Sequence, residues 1–300
     1  MARRAEANGR WGVMVVPVIT KESGVHAEVN YIRNAPGGSE PVLEFVTEDE
    51  ERSTMQTLPG REVWIENARP LSTDIDREGF VLVSHASSIK DFDQVQEEPT
   101  VDQQYMDEMT ELLKHETGAA RVFMLGGGKK RYGESATSKL APLANAKPAR
   151  YPHADNTDKS ATGLVELIAA FVDDLDLEGY SRYALYNMWR AVSSPPQDFP
   201  LAVCDARTVA PEDEVTVAAI TEERGAGDIR HDTTGYAYSA AHRWHYYPDM
   251  TADEVIIFKA HDTDGRRSGR VPHSAFTDPT FPGGGTTRAS VEMRGLALFS

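Results

Sequence analysis

The hydrophobic and polar positions along the chain predict mainly β-strands. Short runs that alternate, or that are continuously apolar, recur between Gly and Pro turn signals, as is typical of strands. In the first part of the chain they lie at residues 26–32, 62–66, 80–84 and 121–125. Beyond residue 180 they become frequent, at residues 182–192, 201–204, 215–220, 236–247, 254–258, 270–276 and 290–299.

Two segments have the period of a helix instead. Residues 102–117 place Tyr105, Met109, Leu112 and Leu113 on one face. Residues 162–177 form a second apolar stripe, which we interpret as core packing. Because these helices do not alternate regularly with the strands, we predict a mainly β protein with flanking helices (α+β). Its core is then a sandwich or a jelly-roll barrel. The residues of the second stripe are Leu164, Leu167, Ile168, Phe171, Val172 and Leu175.

Composition narrows the class of protein. The 300 residues carry a formal net charge of −16, which disfavours nucleic acid and anionic membrane surfaces as partners. No apolar run approaches the roughly 18 residues of a membrane span. The stretch at residues 13–19 is short and interrupted by Pro17, so we expect no signal peptide. The single cysteine, Cys204, allows no internal disulfide and fits a cytoplasmic protein.

Two short stretches carry the candidate chemistry. Tyr151-Pro-His153-Ala-Asp155 contains a His-x-Asp pair, and Val271-Pro-His273 supplies a second histidine 120 residues later. Residues i and i+2 of an extended chain point to the same side, so His153 and Asp155 can reach one site. Two imidazoles and one carboxylate form a facial triad, the ligand set of non-haem Fe(II) oxygenases.

A carboxylate site is predicted beside this triad. Arg288-Ala-Ser290 opens the last strand-like run, and a guanidinium matches a carboxylate with two parallel hydrogen bonds. Each motif alone is common, because a second His-x-acid occurs at His26-Ala-Glu28 and a second Arg-x-Ser at Arg266-Arg-Ser268. The order and spacing of His153, Asp155, His273 and Arg288 distinguish the first set.

Other polar and aromatic segments have less specific patterns. Residues 126–131, Gly-Gly-Gly-Lys-Lys-Arg, lack P-loop spacing, and we predict a flexible surface loop. Aromatic side chains between residues 236 and 247 are candidates for contact with an organic substrate, and two arginines are candidate anchors for an anionic group. The alternative is that the aromatics are core and the arginines form surface ion pairs. The candidate substrate-binding residues are Arg190, Tyr236, Tyr238, Arg243 and Trp244.

The order of several segments resembles the CmcJ/AsaB-like hydroxylase/desaturase family over nearly the whole chain. The resemblance implies one oxygenase domain over residues 1–300. Residues 1–130 supply strands and a helix that pack on the core, and residues 150–300 supply a double-stranded β-helix (jelly-roll) core. The segments that carry it are Asn187-Met-Trp-Arg190 and residues 198–207, 242–248, 253–259 and 271–279.

What the resemblance implies is an Fe(II)- and 2-oxoglutarate-dependent dioxygenase that uses O2 to hydroxylate or desaturate a small metabolite, in secondary metabolism. His153, Asp155 and His273 fall at the family's iron ligands, and Arg288, with Ser290, falls at its 2-oxoglutarate site. One departure concerns the segment after Arg121-Val-Phe123. The family continues there with a strand that contains His and Arg, whereas this chain has the glycine-rich residues 126–128.

Two other functions remain open on the sequence. An iron oxidase without 2-oxoglutarate would use Arg288 and Ser290 to hold a carboxylate of the substrate itself. A jelly-roll binding module without catalytic activity would have the same residues by accident. Metal uptake and succinate release distinguish the three.

Overall fold

The computed structural model describes residues 23–33, 43–46, 53–133, 147–173, 175–223, 227–284 and 287–300. The stretch at residues 13–19 that we considered as a signal peptide lies outside these ranges. Within them, no helix is both long enough and apolar enough to cross a membrane.

Two β-sheets form the framework, and their strands are mostly antiparallel. The larger sheet has nine strands, in spatial order β1 (Gly24–Val29), β3 (Arg61–Asn67), β12 (Trp244–Tyr246), β9 (Leu201–Cys204), β14 (His273–Ala275), β7 (His153–Ala154), β11 (Gly227–Tyr236), β10 (Glu214–Glu223) and β2 (Leu43–Val46). The smaller sheet has six strands, β4 (Phe80–Ser84), β13 (Glu254–Asp262), β8 (Arg182–Ala191) and β15 (Ala289–Phe299), with β5 (Arg121–Met124) and β6 (Lys129–Tyr132) both paired to β15.

The space between the sheets is filled by one apolar cluster. Trp189, Ile256 and Phe258 come from the smaller sheet, and Leu201 and Val203 come from β9 of the larger one. Because side chains alternate across a strand, the residues one position away lie on the outer faces. This face-to-face packing confirms the predicted mainly β fold with a jelly-roll core.

Helix α1 (Pro99–Thr117) covers the outer face of the smaller sheet. Its first position is Pro99, whose fixed φ suits a helix start, and it ends at Gly118, which takes the left-handed conformation with φ of 67°. The predicted stripe is confirmed, since Tyr105, Met109, Leu112 and Leu113 are buried. They pack against residues of β8, β13 and β15.

Helix α2 (Asp158–Phe171) starts earlier than the sequence predicts, and its stripe is only partly buried. Thr157 caps it, because its hydroxyl accepts from the backbone N–H of Ser160 while the Ser160 hydroxyl accepts from that of Thr157. The prediction that the whole stripe is core packing is wrong: Leu167 is 55% exposed and Phe171 is 82% exposed.

Two further predictions are wrong in detail. Residues 129–131, predicted as a surface loop, belong to strand β6 and are hydrogen-bonded to β15. The predicted strand at residues 236–247 is instead the end of β11 and the separate strand β12, joined by residues 237–243. A single-sequence pattern could not place these boundaries, because a strand of three or four residues has too few positions to show a period.

Candidate metal centre

The two histidines of the predicted triad lie side by side on neighbouring strands. His153 on β7 is directly opposite His273 on β14, so both side chains leave the same face of the sheet. Their ring centroids are 4.2 Å apart. Val203, which pairs with His273, belongs to the inter-sheet core. Both imidazoles therefore lie on the inner face of the jelly roll.

Both rings are oriented by the same local arrangement. Nδ1 of His153 lies 3.0 Å from the carbonyl oxygen of Tyr151, and Nδ1 of His273 lies 3.2 Å from that of Val271. A carbonyl oxygen only accepts, so each Nδ1 carries the proton and each Nε2 keeps a free lone pair for a metal. Sequence reasoning missed these carbonyl partners, although the X-Pro-His pattern repeated at both sites was their signal.

His153 is also in the right protonation state for a ligand. Burial, and then repulsion from His273, lowers the pKa of His153 to about 4. A ligating imidazole must be neutral, and the His153 ring is neutral at pH 7 without help from a metal.

Asp155 follows β7, and the backbone of the two residues after it is fixed by contacts with α2 and β11. Thr157, two residues later, caps α2, and the hydroxyl of Thr234 on β11 donates to the carbonyl oxygen of Asn156 at 2.9 Å. These contacts fix the backbone from which the carboxylate projects. The i, i+2 spacing predicted for His153 and Asp155 therefore brings both to one site.

The Asp155 carboxylate is buried and accepts two hydrogen bonds. Nη2 of Arg294 donates to Oδ1 at 2.7 Å, and Nδ2 of Asn187 donates to Oδ2 at 2.5 Å. Burial by itself raises the pKa of Asp155, but Arg294 and the two histidines outweigh it and hold that pKa well below its usual range. The group is an ionised carboxylate with lone pairs left on both oxygens.

The three side chains together can hold one metal ion. Ligand atoms of His153, Asp155 and His273 all lie within 4.8 Å of one another, and no other cluster of this kind occurs in the part of the chain that the structure describes. The donor set is two imidazole nitrogens and one carboxylate oxygen on one side of a cavity. This set fits Fe(II) in a facial triad, with positions left open for other ligands.

A buried guanidinium, that of Arg288, lies immediately before the first residue of β15. Nη2 of Arg288 is 3.0 Å from Oγ of Ser290, and Nη1 donates to the carbonyl oxygen of Phe199 at 3.1 Å. Within the described ranges Arg288 makes no ion pair with any carboxylate. Burial, and then repulsion from Arg131, lowers the pKa of Arg288 to about 9. A buried cation without a direct ion-pair partner is expensive, and Arg288 therefore fits a site for an anion.

Comparison with known proteins gives a consistent result. A family profile described as an oxidoreductase/YMDC permease-like domain matches residues 29–298. The hydroxylase/desaturase efuI of Hormonema carpetanum is 30% identical over 92% of this chain and 95% of its own. The Fe(II)/2-oxoglutarate-dependent dioxygenase nvfI of Aspergillus novofumigatus is 29% identical over 77% of this chain and 81% of its own. A solved structure of the iron and alpha-ketoglutarate-dependent endoperoxidase NvfI superimposes with a TM-score of 0.78 at 26% identity, covering 93% of this chain and 99% of that one.

The chain belongs to this hydroxylase/desaturase family of oxygenases. It is an Fe(II)/2-oxoglutarate-dependent enzyme that uses O2 and acts on a small molecule. The resemblance inferred from sequence is confirmed. The binding-module alternative is therefore excluded, and the alternative of an oxidase without 2-oxoglutarate is not supported.

Several polar residues near the candidate metal centre were missed in the sequence. Glu292 and Arg294 continue the alternation of Arg288 and Ser290 along β15, and Nη2 of Arg294 is 3.1 Å from Oε1 of Glu292. Their signal was the i+2 series of polar residues separated by apolar ones, which marks a strand with one polar face. Arg131 was also missed, because β6 was taken for a loop.

Two aromatic substrate candidates of the oxygenase lie on the wrong face of the larger sheet. Trp244 pairs with Cys204, one residue away from the inner-face Val203, so it points outward; its indole N–H donates to Tyr31 Oη at 2.7 Å. Tyr236 follows Gly235, the partner of His153, and by the same alternation it also points outward. The structure does not bring either one to the metal centre.

The remaining substrate candidates of the oxygenase are also placed elsewhere. Arg190 is fully buried under α1, on the outer face of the smaller sheet, where it donates to Tyr105 Oη at 3.2 Å and to the carbonyl oxygen of His85 at 2.9 Å. Arg243 is exposed. Tyr238 is 37% exposed, meets the ring of Tyr31 edge-to-face and has the Arg61 guanidinium over its own ring. Their predicted role in binding the substrate is not supported, since no contact among the described residues links them to the triad.

Proposed function

We propose that His153, Asp155 and His273 are the iron ligands of this oxygenase and that Arg288 and Ser290 bind 2-oxoglutarate. The observation that supports this most strongly is the orientation of the two imidazoles. Both have Nδ1 occupied by a backbone carbonyl, and their ligand atoms lie within 4.8 Å of those of Asp155. Bound Fe(II) supplies oxidation of a substrate C–H bond by O2, coupled to conversion of 2-oxoglutarate to succinate and CO2.

The chain's own residues keep the ligands in the protonation state and orientation that this requires. The backbone carbonyls of Tyr151 and Val271 fix the tautomer of each histidine, which leaves Nε2 as the donor atom. Asn187 and Arg294 hold the two oxygens of Asp155. The carboxylate is therefore oriented before any metal arrives.

The co-substrate's distal carboxylate belongs at Arg288. Its guanidinium is buried, lacks an ion pair among the described residues and shares the inner face of β15 with Glu292 and Arg294. Glu292 is close enough to His273 and Asp155 for their charges to act on its pKa. Ser290 is one pleat away from Glu292, about 7 Å along a strand. A five-carbon diacid can therefore reach from the triad to Arg288.

A separate cavity on the other side of Asp155 is our proposed substrate site. Its volume is about 160 Å3, which holds a small metabolite or the reacting end of a larger one. Most of its wall is apolar, and the Asn187 Oδ1 atom has no hydrogen-bond partner, so it can accept from a substrate hydroxyl or amide. The cavity is lined by Leu125, Asn156, Leu164, Leu185, Tyr186, Asn187, Ala260 and Arg294.

We further infer hydroxylation or desaturation as the outcome, in secondary metabolism, with the cytoplasm as the location. The names of the matched relatives support the reaction class, although the endoperoxidase NvfI shows that outcomes differ between relatives. The buried free thiol of Cys204 fits a reducing compartment. Strands from the first 130 residues lie in both sheets, which supports a single domain over residues 1–300.

Anaerobic titration of the Fe(II)-loaded protein with 2-oxoglutarate tests the iron and co-substrate sites together. We expect a visible charge-transfer band in the wild type and none in His273→Ala. His245→Ala is the matched control, because His245 is buried on the same inner face but lies outside the triad. Equal bands in all three proteins, with folding verified by circular dichroism, would contradict the assigned ligands.

A further inference from the structure

We propose that Arg131 is a second cationic group for the bound 2-oxoglutarate, and that the indole N–H of Trp189 donates to the same anion. Neither residue belongs to the Arg288–Ser290 motif. The inference rests on the proposed co-substrate site and extends it to two further strands, β6 and β8.

The register of the smaller sheet places Arg131 beside that motif. Arg131 on β6 is directly opposite Ser290 on β15, and directly opposed side chains share a face with Cβ atoms about 5 Å apart. Oγ of Ser290 is also the hydrogen-bond partner of the Arg288 guanidinium. The Arg131 side chain therefore leaves the sheet on the same face as Ser290, the residue whose hydroxyl holds the Arg288 guanidinium.

Arg131 has no direct ion-pair partner in the described part of the chain, although its charge acts at longer range on Glu292. It is half-buried, yet it makes no hydrogen bond or ion pair through its side chain to any described residue. Its neighbour Lys130 differs, because Nζ of Lys130 lies 3.3 Å from Oε1 of Glu97 on the outer side. Arg131 instead repels Arg288 and contributes to lowering the pKa of that residue. Two neighbouring cations that repel each other, neither of them in a direct ion pair with a described carboxylate, favour an anion bound between them.

Trp189 supplies an independent sign of a missing acceptor. It is 2% exposed, its Nε1 atom has no hydrogen-bond partner, and the Arg288 guanidinium lies 5.1 Å from its ring centroid. Buried indole N–H groups are normally paired, since an unpaired one costs about 1–3 kcal/mol. An oxygen atom near Arg288 would satisfy it. The three donors belong to β6, β8 and β15, so they approach one volume from three strands.

Charge position favours the co-substrate over a substrate anion as the partner of Arg131. The proposed substrate cavity lies at Asn187 and Arg294, and the cation of β6 nearer to it is Lys129, which pairs with Glu292 in the ladder. Arg294 is the main cause of the lowered pKa of Lys129, whereas Arg131 acts on Arg288. Lys129 is therefore a matched comparison: it has the same charge and the same strand face but a different neighbour.

The test is anaerobic titration of Fe(II)-loaded protein, monitored through the charge-transfer band, with two ligands. 2-Oxoglutarate has the distal carboxylate; 2-oxopentanoate has a methyl group in its place and the same 2-oxo acid end. For Arg131→Gln we expect the Kd of 2-oxoglutarate to rise about ten- to a hundredfold, as for a lost charge-assisted hydrogen bond. We expect the Kd of 2-oxopentanoate to stay unchanged. Arg131→Lys should recover part of the affinity, and Trp189→Phe should lose several-fold.

Lys129→Gln controls for the loss of one positive charge anywhere near the site, and we expect less than a threefold change. Thermal unfolding of the ligand-free protein is a second readout: Arg131→Gln should have nearly the same Tm as wild type, because it removes a repulsion from Arg288 and an attraction to Glu292 but no hydrogen bond to a described residue.

An unchanged Kd of 2-oxoglutarate in Arg131→Gln would overturn the inference. So would an equal loss for both ligands, or an equal loss in Lys129→Gln. Failure of the proposed function is a different result, in which the wild type shows no band or Arg288→Gln binds 2-oxoglutarate as tightly as wild type.

Discussion

Replacing Arg294 with methionine should destabilise the metal-free protein and at the same time tighten metal binding. Arg294 is the cation that neutralises both Asp155 and Glu292, at 2.7 Å and 3.1 Å. Methionine keeps the apolar stem of the side chain but removes the charge. Two buried carboxylates are then left close together without the cation that acts on both most strongly.

The expected loss of unfolding free energy in Arg294→Met follows from how deeply the three side chains are buried. The side chains of Asp155 and Glu292 are 9% and 12% exposed, and that of Arg294 is 28% exposed. Removing one partner of a buried pair costs about 3–5 kcal/mol, and the partial exposure of Arg294 selects the lower end, about 3 kcal/mol. A bound divalent cation compensates Asp155 but not Glu292, so the loss should fall to about 1.5 kcal/mol in the loaded protein. By linkage, the variant then binds metal about tenfold more tightly.

The assay is denaturant unfolding with and without Mn(II), together with a direct Mn(II) titration. Arg69→Met is the control, since Arg69 forms a comparably exposed ion pair with Glu254 at 2.7 Å on another part of the fold. Its loss of unfolding free energy should be the same with and without Mn(II). If Arg294→Met behaves like this control, or binds Mn(II) more weakly than wild type, the electrostatic reasoning is refuted.

The pH dependence of unfolding gives a further test, because the direction of the expected change can be derived. Arg294 holds the pKa of Asp155 and of Glu292 below their usual ranges against the opposing effect of burial. This contribution to stability is present above the unfolded pKa, near 4, and is lost as pH falls through the lower folded values. The difference in unfolding free energy between wild type and Arg294→Met, measured without metal, should therefore shrink below about pH 4.

Three other outcomes can be measured. Arg190→Met should lower the unfolding free energy by about 3 kcal/mol, because it leaves buried hydrogen-bond acceptors without a partner. The Kd of 2-oxoglutarate should stay unchanged. A raised Kd without loss of stability would show that Arg190 is a binding residue after all. Phe171→Ser should change the unfolding free energy by less than about 0.5 kcal/mol, as at other exposed positions, and a loss above 2 kcal/mol would show that α2 is covered. Leu164→Trp should reduce substrate-stimulated succinate release and leave the 2-oxoglutarate Kd unchanged, whereas equal release would place the substrate elsewhere.

The larger elements of the fold could be predicted from the sequence because their patterns are long or strongly apolar. Strand β9 matches the predicted residues 201–204, and β15 begins one residue before the predicted residue 290. In the hairpin of β10 and β11, the sequence predicted β10 but not β11. Gly227–Tyr236 is mostly polar, and it becomes a strand by pairing with β10, which a sequence pattern does not reveal. In α2 the predicted apolar period holds only as far as Phe171, because the helix ends there and Val172 and Leu175 of the predicted stripe lie beyond it; the period also does not say how wide a face is covered.

The triad could also be predicted, but for a different reason. His153 and Asp155 are close in sequence, and the order of His273 and Arg288 matched a known family. The substrate residues could not be predicted, because a shift of one position moves a strand residue to the opposite face. Trp244 and His245 show this: the tryptophan joins the outer cluster of aromatic residues, and the histidine faces inward.

Part of the wall of the proposed substrate cavity can change during evolution while the metal ligands stay the same. Leu164 lies on α2 and Leu125 follows β5, so part of the cavity wall comes from elements that carry no triad residue. Substitutions there alter the shape presented to a substrate without disturbing the ladder that aligns His153 with His273. A library confined to these wall positions would sample new substrates from one unchanged catalytic centre, which is how a single architecture can serve many biosynthetic routes.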